Sequence, residues 1–339
     1  MDTRSRRPLR SLARGLLAAL ALAAATAHAQ VASPQAIEIP KWFTESFLDF
    51  RDDARDAARD GKRLMVYFGQ DGCPYCKALM KVDFGEPDIV ETTRRHFVAI
   101  ALNLWGDREV TWVDGRKMTE KALARALGVQ FTPTLLFLDE RGAVVLRLNG
   151  YHPPASFRVA LEYASLPGGD RVPFTDYLAR RLGTKAKERG GDAPVDLPQL
   201  LAAGKPVLVV YEYDGCRDCR ELRREGFARP EVARLLARFT VVTLDLAGTR
   251  EVVTPRGQRS DERRWGRALQ IAYAPTLIFL DARGHEAFRS EGYLKPFHLA
   301  STLEYVASGA YREEPSFQRY IQKRADAVRA GGGAVDLWK

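Results

Sequence analysis

The sequence predicts an α/β fold built twice over, and three observations carry that reading. Residues 64–68 are a short apolar run, followed by a turn at 69–72 and a helix start at Cys73-Pro-Tyr-Cys76. The same pattern returns 143 residues later, with an apolar run at 207–211, an Asp214-Gly215 turn and Cys216-Arg-Asp-Cys219. Around each pair the elements run strand, helix, strand, helix, strand, strand, helix, an order that layers helices on both faces of a sheet.

The repeat extends well past the cysteines. Gly61-Lys62 matches Gly204-Lys205, Arg108-Glu-Val110 matches Arg250-Glu-Val252, Thr132-Pro-Thr-Leu135 matches Ala274-Pro-Thr-Leu277, and Gly150-Tyr151 matches Gly292-Tyr293. The offset stays at 142 or 143 residues. Such a register is the mark of a duplicated domain. The expected layout is a signal segment at 1–29, domains at 41–182 and 195–325, and an unstructured tail at 326–339 containing Gly331-Gly-Gly333.

Taken in order, residues 41–60 read as one amphipathic helix, with Phe43, Phe47, Phe50, Ala54 and Ala57 on its apolar face and Gly61 as its cap. The strand at 64–68 and the Cys73 helix follow. Pro87 opens another short helix, and 97–102 is the next strand. Residues 103–118 read as a loop or short hairpin. A helix over 119–127 ends at Gly128, and 134–138 with 143–148 forms a hairpin around Asp139. Pro154 starts a helix with Phe157, Leu161 and Tyr163 on its inner face. Residues 174–182 are a short helix packed back on the first repeat, and 165–205 joins the repeats.

Composition sets bounds. The chain of 339 residues is 46% apolar and has four cysteines, all in the two C-x-x-C pairs. Four is too few for a disulfide scaffold and suits two redox pairs or two half metal sites. The formal charge is +9, and residues 1–29 supply +4 of it. The remaining basic residues alternate with acids, as solvated faces do, so nucleic acid is not an expected partner. Arg4, Arg6, Arg7, Arg10 and Arg14, an apolar stretch at 15–26 and Ala27-His-Ala29 read as a cleavable signal peptide. The general secretory route is favoured, with twin-arginine export as the alternative. No later stretch is long and apolar enough to span a membrane. Export places the mature chain in an oxidising compartment, a bacterial periplasm.

The chemistry follows from position. A cysteine at a helix start meets unpaired N–H groups and the positive end of the helix dipole, which favour its thiolate. Cys73 and Cys216 are therefore the expected attacking thiolates. Cys76 and Cys219, one turn on, are placed to resolve a mixed disulfide. Competing readings fare worse. One Cys₄ zinc site would force the two repeats face to face. Copper would favour a methionine cluster, and after Met1 only Met65, Met80 and Met118 remain. Haem attachment needs a histidine where Lys77 and Arg220 stand. His96, His152, His285 and His298 share no ligand spacing, and no glycine loop suggests a nucleotide, so no cofactor or metal is expected. Trp105 and Trp112 are read as core residues before groove residues.

The C-x-x-C helix start joined to a later x-Pro-Thr before a strand resembles the thioredoxin fold over most of 41–325. Gly69-Gln-Asp-Gly-Cys-Pro-Tyr-Cys76, Gly128-Val-Gln-Phe-Thr-Pro-Thr134 and Asn149-Gly-Tyr151 resemble most closely the exported thioredoxin-like proteins of bacterial sulfur oxidation and similar periplasmic reductases. The resemblance implies two tandem thioredoxin-like domains and a thiol–disulfide oxidoreductase working in the reductive direction. It implies cis bonds at Pro133 and Pro275, with Thr132 and Ala274 beside the cysteines to pair with a substrate chain. The implied partners are a disulfide-bonded protein and, as electron source, a membrane thiol transporter. Oxidase, isomerase and idle binding module are the alternatives. Two departures stand out. The strand position where many thioredoxins bury a carboxylate holds Tyr67 or Val210, leaving Asp71, Lys77 and Glu212 as weak substitutes. The dipeptides also differ, Pro74-Tyr75 against Arg217-Asp218.

Overall fold

The computed structural model describes residues 36–168, 172–181, 183 and 193–335. The expected signal segment lies outside these residues. In the first repeat, α1 (Phe50–Arg59), β1 (Arg63–Gly69), α2 (Pro74–Lys81), α3 (Pro87–His96) and β2 (Phe97–Asn103) come first. A hairpin β3 (Glu109–Thr111) and β4 (Lys117–Thr119) leads to α4 (Glu120–Ala126). Then follow β5 (Thr134–Leu138), β6 (Val144–Asn149), α5 (Pro154–Ser165) and α6 (Phe174–Arg181). The main sheet has the order β2-β1-β5-β6, with β1 and β2 parallel and the other pairs antiparallel.

Side chains alternate across that sheet, so β1 feeds two cores. Met65 and Tyr67 pack with Phe97, Phe137 and Phe157 on one face, together with both cysteines. Leu64, Val66 and Phe68 pack with Phe50, Ile100 and Leu123 on the other. Helices cover both faces, which is why the strand reads as an unbroken apolar run.

The second repeat adds β7 (Val195–Asp196), α7 (Leu197–Ala202), β8 (Val207–Glu212), α8 (Arg217–Glu221), α9 (Pro230–Leu236) and β9 (Thr240–Asp245). It continues with β10 (Glu251–Val253), β11 (Arg259–Asp261), α10 (Glu262–Ala268), β12 (Thr276–Leu280), β13 (Glu286–Glu291), α11 (Pro296–Ala307) and α12 (Phe317–Ala330). Its main sheet, β13-β12-β8-β9, repeats the first. Two thioredoxin-like folds thus stand in tandem. The repeated Arg-Glu-Val motif has a structural cause. Arg108 pairs with the buried Glu120 at 2.6 Å, and Arg250 with the buried Glu262 at 2.9 Å. Each glutamate also accepts a backbone N–H from the end of the preceding strand, Asn103 or Asp245.

Two expectations need correction. The helix over 41–60 begins only at Phe50, where Asp49 accepts the N–H groups of Arg51 and Asp52. Thr44 N–H instead bonds the Ala99 carbonyl, and Leu48 takes a positive φ of 63°. Phe43 consequently packs on the cysteine face, Phe50 on the opposite face, and Phe47 is fully exposed. The helical spacing of these phenylalanines was coincidental. The tail expected from 326 is helical as far as Ala330, and its residues 336–339 lie outside the described ones. Phe317, Ile321 and Ala325 are the buried residues of α12, with Phe317 and Ile321 in the core of the second repeat, and the helix continues to Ala330 and ends at Gly331.

The repeats meet along a seam in which corresponding parts touch. Gly150 and Gly292 lie on it, both with φ near +80°. A Cβ on either would come within 3.3 Å of a carbonyl of the other repeat, Glu291 or Tyr151. Phe131 packs on Phe288 and Phe317, while Tyr273 packs on His152. Arg267 bonds Asp176 of α6 at 3.0 Å.

Candidate functional site

Cys73 is the N-cap of α2, with Pro74 at the first helical position, where a missing N–H costs nothing. Its Sγ accepts the Cys76 N–H at 3.0 Å. Cys216 caps α8 in the same way and accepts the Cys219 N–H at 3.0 Å. Both pairs are closed as disulfides, with Cα–Cα separations of 5.2 and 5.3 Å. All four cysteines are buried, the first of each pair being 4% and 2% exposed.

The residues implied by the resemblance come to the same places. Thr132-Pro133 and Ala274-Pro275 are both cis. The Thr132 carbonyl lies 3.3 Å from Cys73 Sγ, and the Thr132 hydroxyl reaches the same sulfur at 3.4 Å. The Ala274 carbonyl lies 3.7 Å from Cys216 Sγ. Alanine has no hydroxyl, so the second sulfur has one polar neighbour fewer. The helices differ too. α8 gives way after five residues to a π-helical turn, Leu222–Phe227, whose Gly226 sits against Leu299 with no room for a Cβ.

The weak substitutes for a buried carboxylate are occupied elsewhere. Asp71 accepts the Ile37 N–H, and Glu212 pairs with Arg223 at 2.9 Å. Tyr67 is buried with no partner for its hydroxyl, and burial pushes its pKa up. The histidines differ in exposure, and His96 is half-buried. His285 is exposed, His152 is buried with its Nε2 unpartnered, and His298 is half-buried with its Nδ1 shielded and unpartnered; desolvation lowers both of these last two to about 4. Trp112 is a core residue, packed on Phe50, whereas Trp105 is exposed and donates to Gln70 at 2.6 Å.

Long-range contacts around the pairs have no sequence signal. The Tyr75 hydroxyl accepts the Lys295 N–H of the other repeat at 2.7 Å, and its ring meets His298. Asp218 accepts a hydrogen bond from Tyr273 at 2.8 Å, and Ser156 of the first repeat donates to that same tyrosine at 3.4 Å. Burial raises the Asp218 pKa, opposed by that hydrogen bond and by Arg217. Beside the first pair, Gln318 of α12 donates to the Gln130 carbonyl and accepts from Gln70. Asp83 follows α2 directly. It is fully buried, and burial pushes its pKa up to about 7 against the opposing pull of the neighbouring Tyr151 hydroxyl.

A disulfide between residues three apart, at the start of a helix that follows a central strand, is the architecture of thiol–disulfide redox proteins, and here it occurs twice. The chain belongs to the thioredoxin-like domain family, which matches residues 50–165 and 194–307. It is similar to a thiol:disulfide interchange protein DsbD from Pectobacterium atrosepticum, 28% identical over 121 residues, covering 34% of this chain and 19% of that one. It is also similar to a protein disulfide-isomerase, erp38, from Neurospora crassa, 23% identical over 287 residues, covering 82% and 61%. The chain thus spans less than two thirds of the length of either relative. Among solved structures it resembles a thioredoxin from Thermus thermophilus, 27% identical, covering 36% of this chain and 87% of that one, with a TM-score of 0.29. No helix among the described residues is long and apolar enough to cross a membrane.

Proposed function

We propose that the protein is an exported, periplasmic thiol–disulfide oxidoreductase that reduces protein disulfides. The observation that carries this is the pair of C-x-x-C disulfides, each with its first sulfur at a helix start facing the second residue's N–H. That N–H is positioned to hold a thiolate once the disulfide is reduced. The reduced Cys73 thiolate attacks a substrate disulfide, forming one S–S bond and releasing one substrate thiolate. Cys76, as thiolate, then attacks Cys73 Sγ, releasing the second. The substrate gains two electrons and the pair returns to its disulfide. Cys216 and Cys219 act alike. Thr132-Pro133 and Ala274-Pro275 seat the substrate chain.

Re-reduction needs imported electrons, for which a membrane thiol transporter is the proposed source. The motif resemblance to exported proteins of bacterial sulfur oxidation supports the reductive direction and the location. A second reading, isomerase, is favoured by the disulfide-isomerase relative, which covers 82% of the chain. The first of two measurements tests the shared cysteine chemistry, and the second separates the readings. Insulin-type disulfide reduction should fall sharply in Cys73→Ser, and full activity there would remove the first repeat from the mechanism. The potential of each pair, with the other changed to serine, should lie near about −270 mV for a reductant. A value near about −180 mV would favour the isomerase, and one near about −120 mV would reverse the direction.

A further inference from the structure

A cleft of about 830 Å³ opens between the first turns of α2 and α8, so that both C-x-x-C helices form its walls. Its lining includes five tyrosines drawn from both repeats: Tyr75, Tyr151, Tyr213, Tyr273 and Tyr293. Three carboxylates share the wall, Asp214, Asp218 and Glu221, against two cations, Arg217 and Lys295. The wall is net negative in a chain whose formal charge is +9. Asp218 is the most fixed of the three. The Tyr273 hydroxyl holds it, and Arg217 acts on it only through space. Tyr213, Asp214 and Gly215 also line a smaller pocket of about 170 Å³ that contains Cys216 and Cys219. A chain seated in the cleft is therefore next to a sulfur pair.

Tyrosine side chains and carboxylates that no cation bonds directly share one ligand preference, a cation. Ring faces attract ammonium and guanidinium groups, and a half-buried carboxylate does so more strongly than one in open water. The volume exceeds that of one side chain and suits an extended segment. We propose that this cleft docks a lysine- or arginine-bearing segment of the disulfide substrate, beside the cysteine it presents. This deepens the oxidoreductase reading and rests on it. The cleft determines which disulfide proteins are taken, while the sulfur chemistry stays that of the cysteine pairs.

The test uses the full chain and three short peptide disulfides that differ only in flanking residues: lysine, glutamate or serine. The oxidised protein is also titrated with cysteine-free lysine and glutamate peptides. Lysine-flanked peptides should be bound and reduced roughly tenfold better than glutamate-flanked ones, as one cation–π contact and one partly buried ion pair provide. The preference should shrink as salt rises and fall in Glu221→Gln and in Tyr293→Leu. If either variant fails to fold, the peptide ratio of the unaltered chain still decides. Equal binding of the two cysteine-free peptides and equal turnover of the three disulfides overturns the docking proposal and leaves the redox reading standing. A lysine preference in binding with no turnover of any peptide removes the redox reading and leaves the cleft as a docking site.

Discussion

Gly292→Ala is the sharpest test of how the two repeats are held together. Gly292 has φ +80°, and an added Cβ would sit 3.3 Å from the Tyr151 carbonyl across the seam. Gly204, in the same repeat, has φ +77° and nothing within 4 Å of its Cβ position. The two substitutions therefore share the cost of a left-handed alanine, about 1–2 kcal/mol, and the same small gain from a stiffer unfolded chain. They differ in the contact. A backbone carbonyl cannot swing aside as a side chain can, so Gly292→Ala should lose about 1–3 kcal/mol more, the usual range for overpacking. Urea unfolding followed by tryptophan fluorescence measures the difference, with an unchanged slope showing that the same surface is exposed. Gly150→Ala against Gly128→Ala repeats the comparison in the first repeat, since Gly128 has φ +61° and open space. If each seam variant matched its control, the repeats would not meet at Gly150 and Gly292 in solution, and the shared cleft would lose its frame.

Other expectations follow from burial. Phe50→Ala should cost about 3–5 kcal/mol because Phe50 is fully buried, whereas Phe47→Ala should stay within about 0.5 kcal/mol. The reverse order would restore the continuous helix over 41–60. Asp83 rises from 3.8 to about 7 on folding, so the folded state holds its proton more tightly. Its contribution is present at low pH and is lost as pH rises from about 4 through 7, and Asp83→Asn should remove that loss. His298 runs the other way, dropping from 6.5 to about 4. Its contribution is present above pH 6.5 and lost as pH falls towards 4, so His298→Gln should flatten stability over that window. Parallel pH profiles for parent and variant would contradict either assignment.

The sequence by itself determined the fold of each repeat and the placing of a cysteine pair at a helix start in both, because these rest on local signals. Apolar runs, the Pro74 helix start and the glycine turns act over a few residues. The offset of 142 or 143 residues lets each half check the other. The Arg108 and Arg250 motifs were visible as repeats, although their buried glutamate partners Glu120 and Glu262 lie 12 residues further on. Tertiary structure alone decided the rest. Phe43 and Phe50 share a helical spacing yet lie on opposite faces of the sheet, because Thr44 pairs with Ala99 and Leu48 turns the chain. Asp83 looks like any surface acid in sequence, yet the fold buries it completely. The meeting of Tyr75 with Lys295 spans 220 residues, and that of Asp218 with Tyr273 spans 55. Periodicity reports which residues face inwards along one element, but it holds no information about which distant element meets them there.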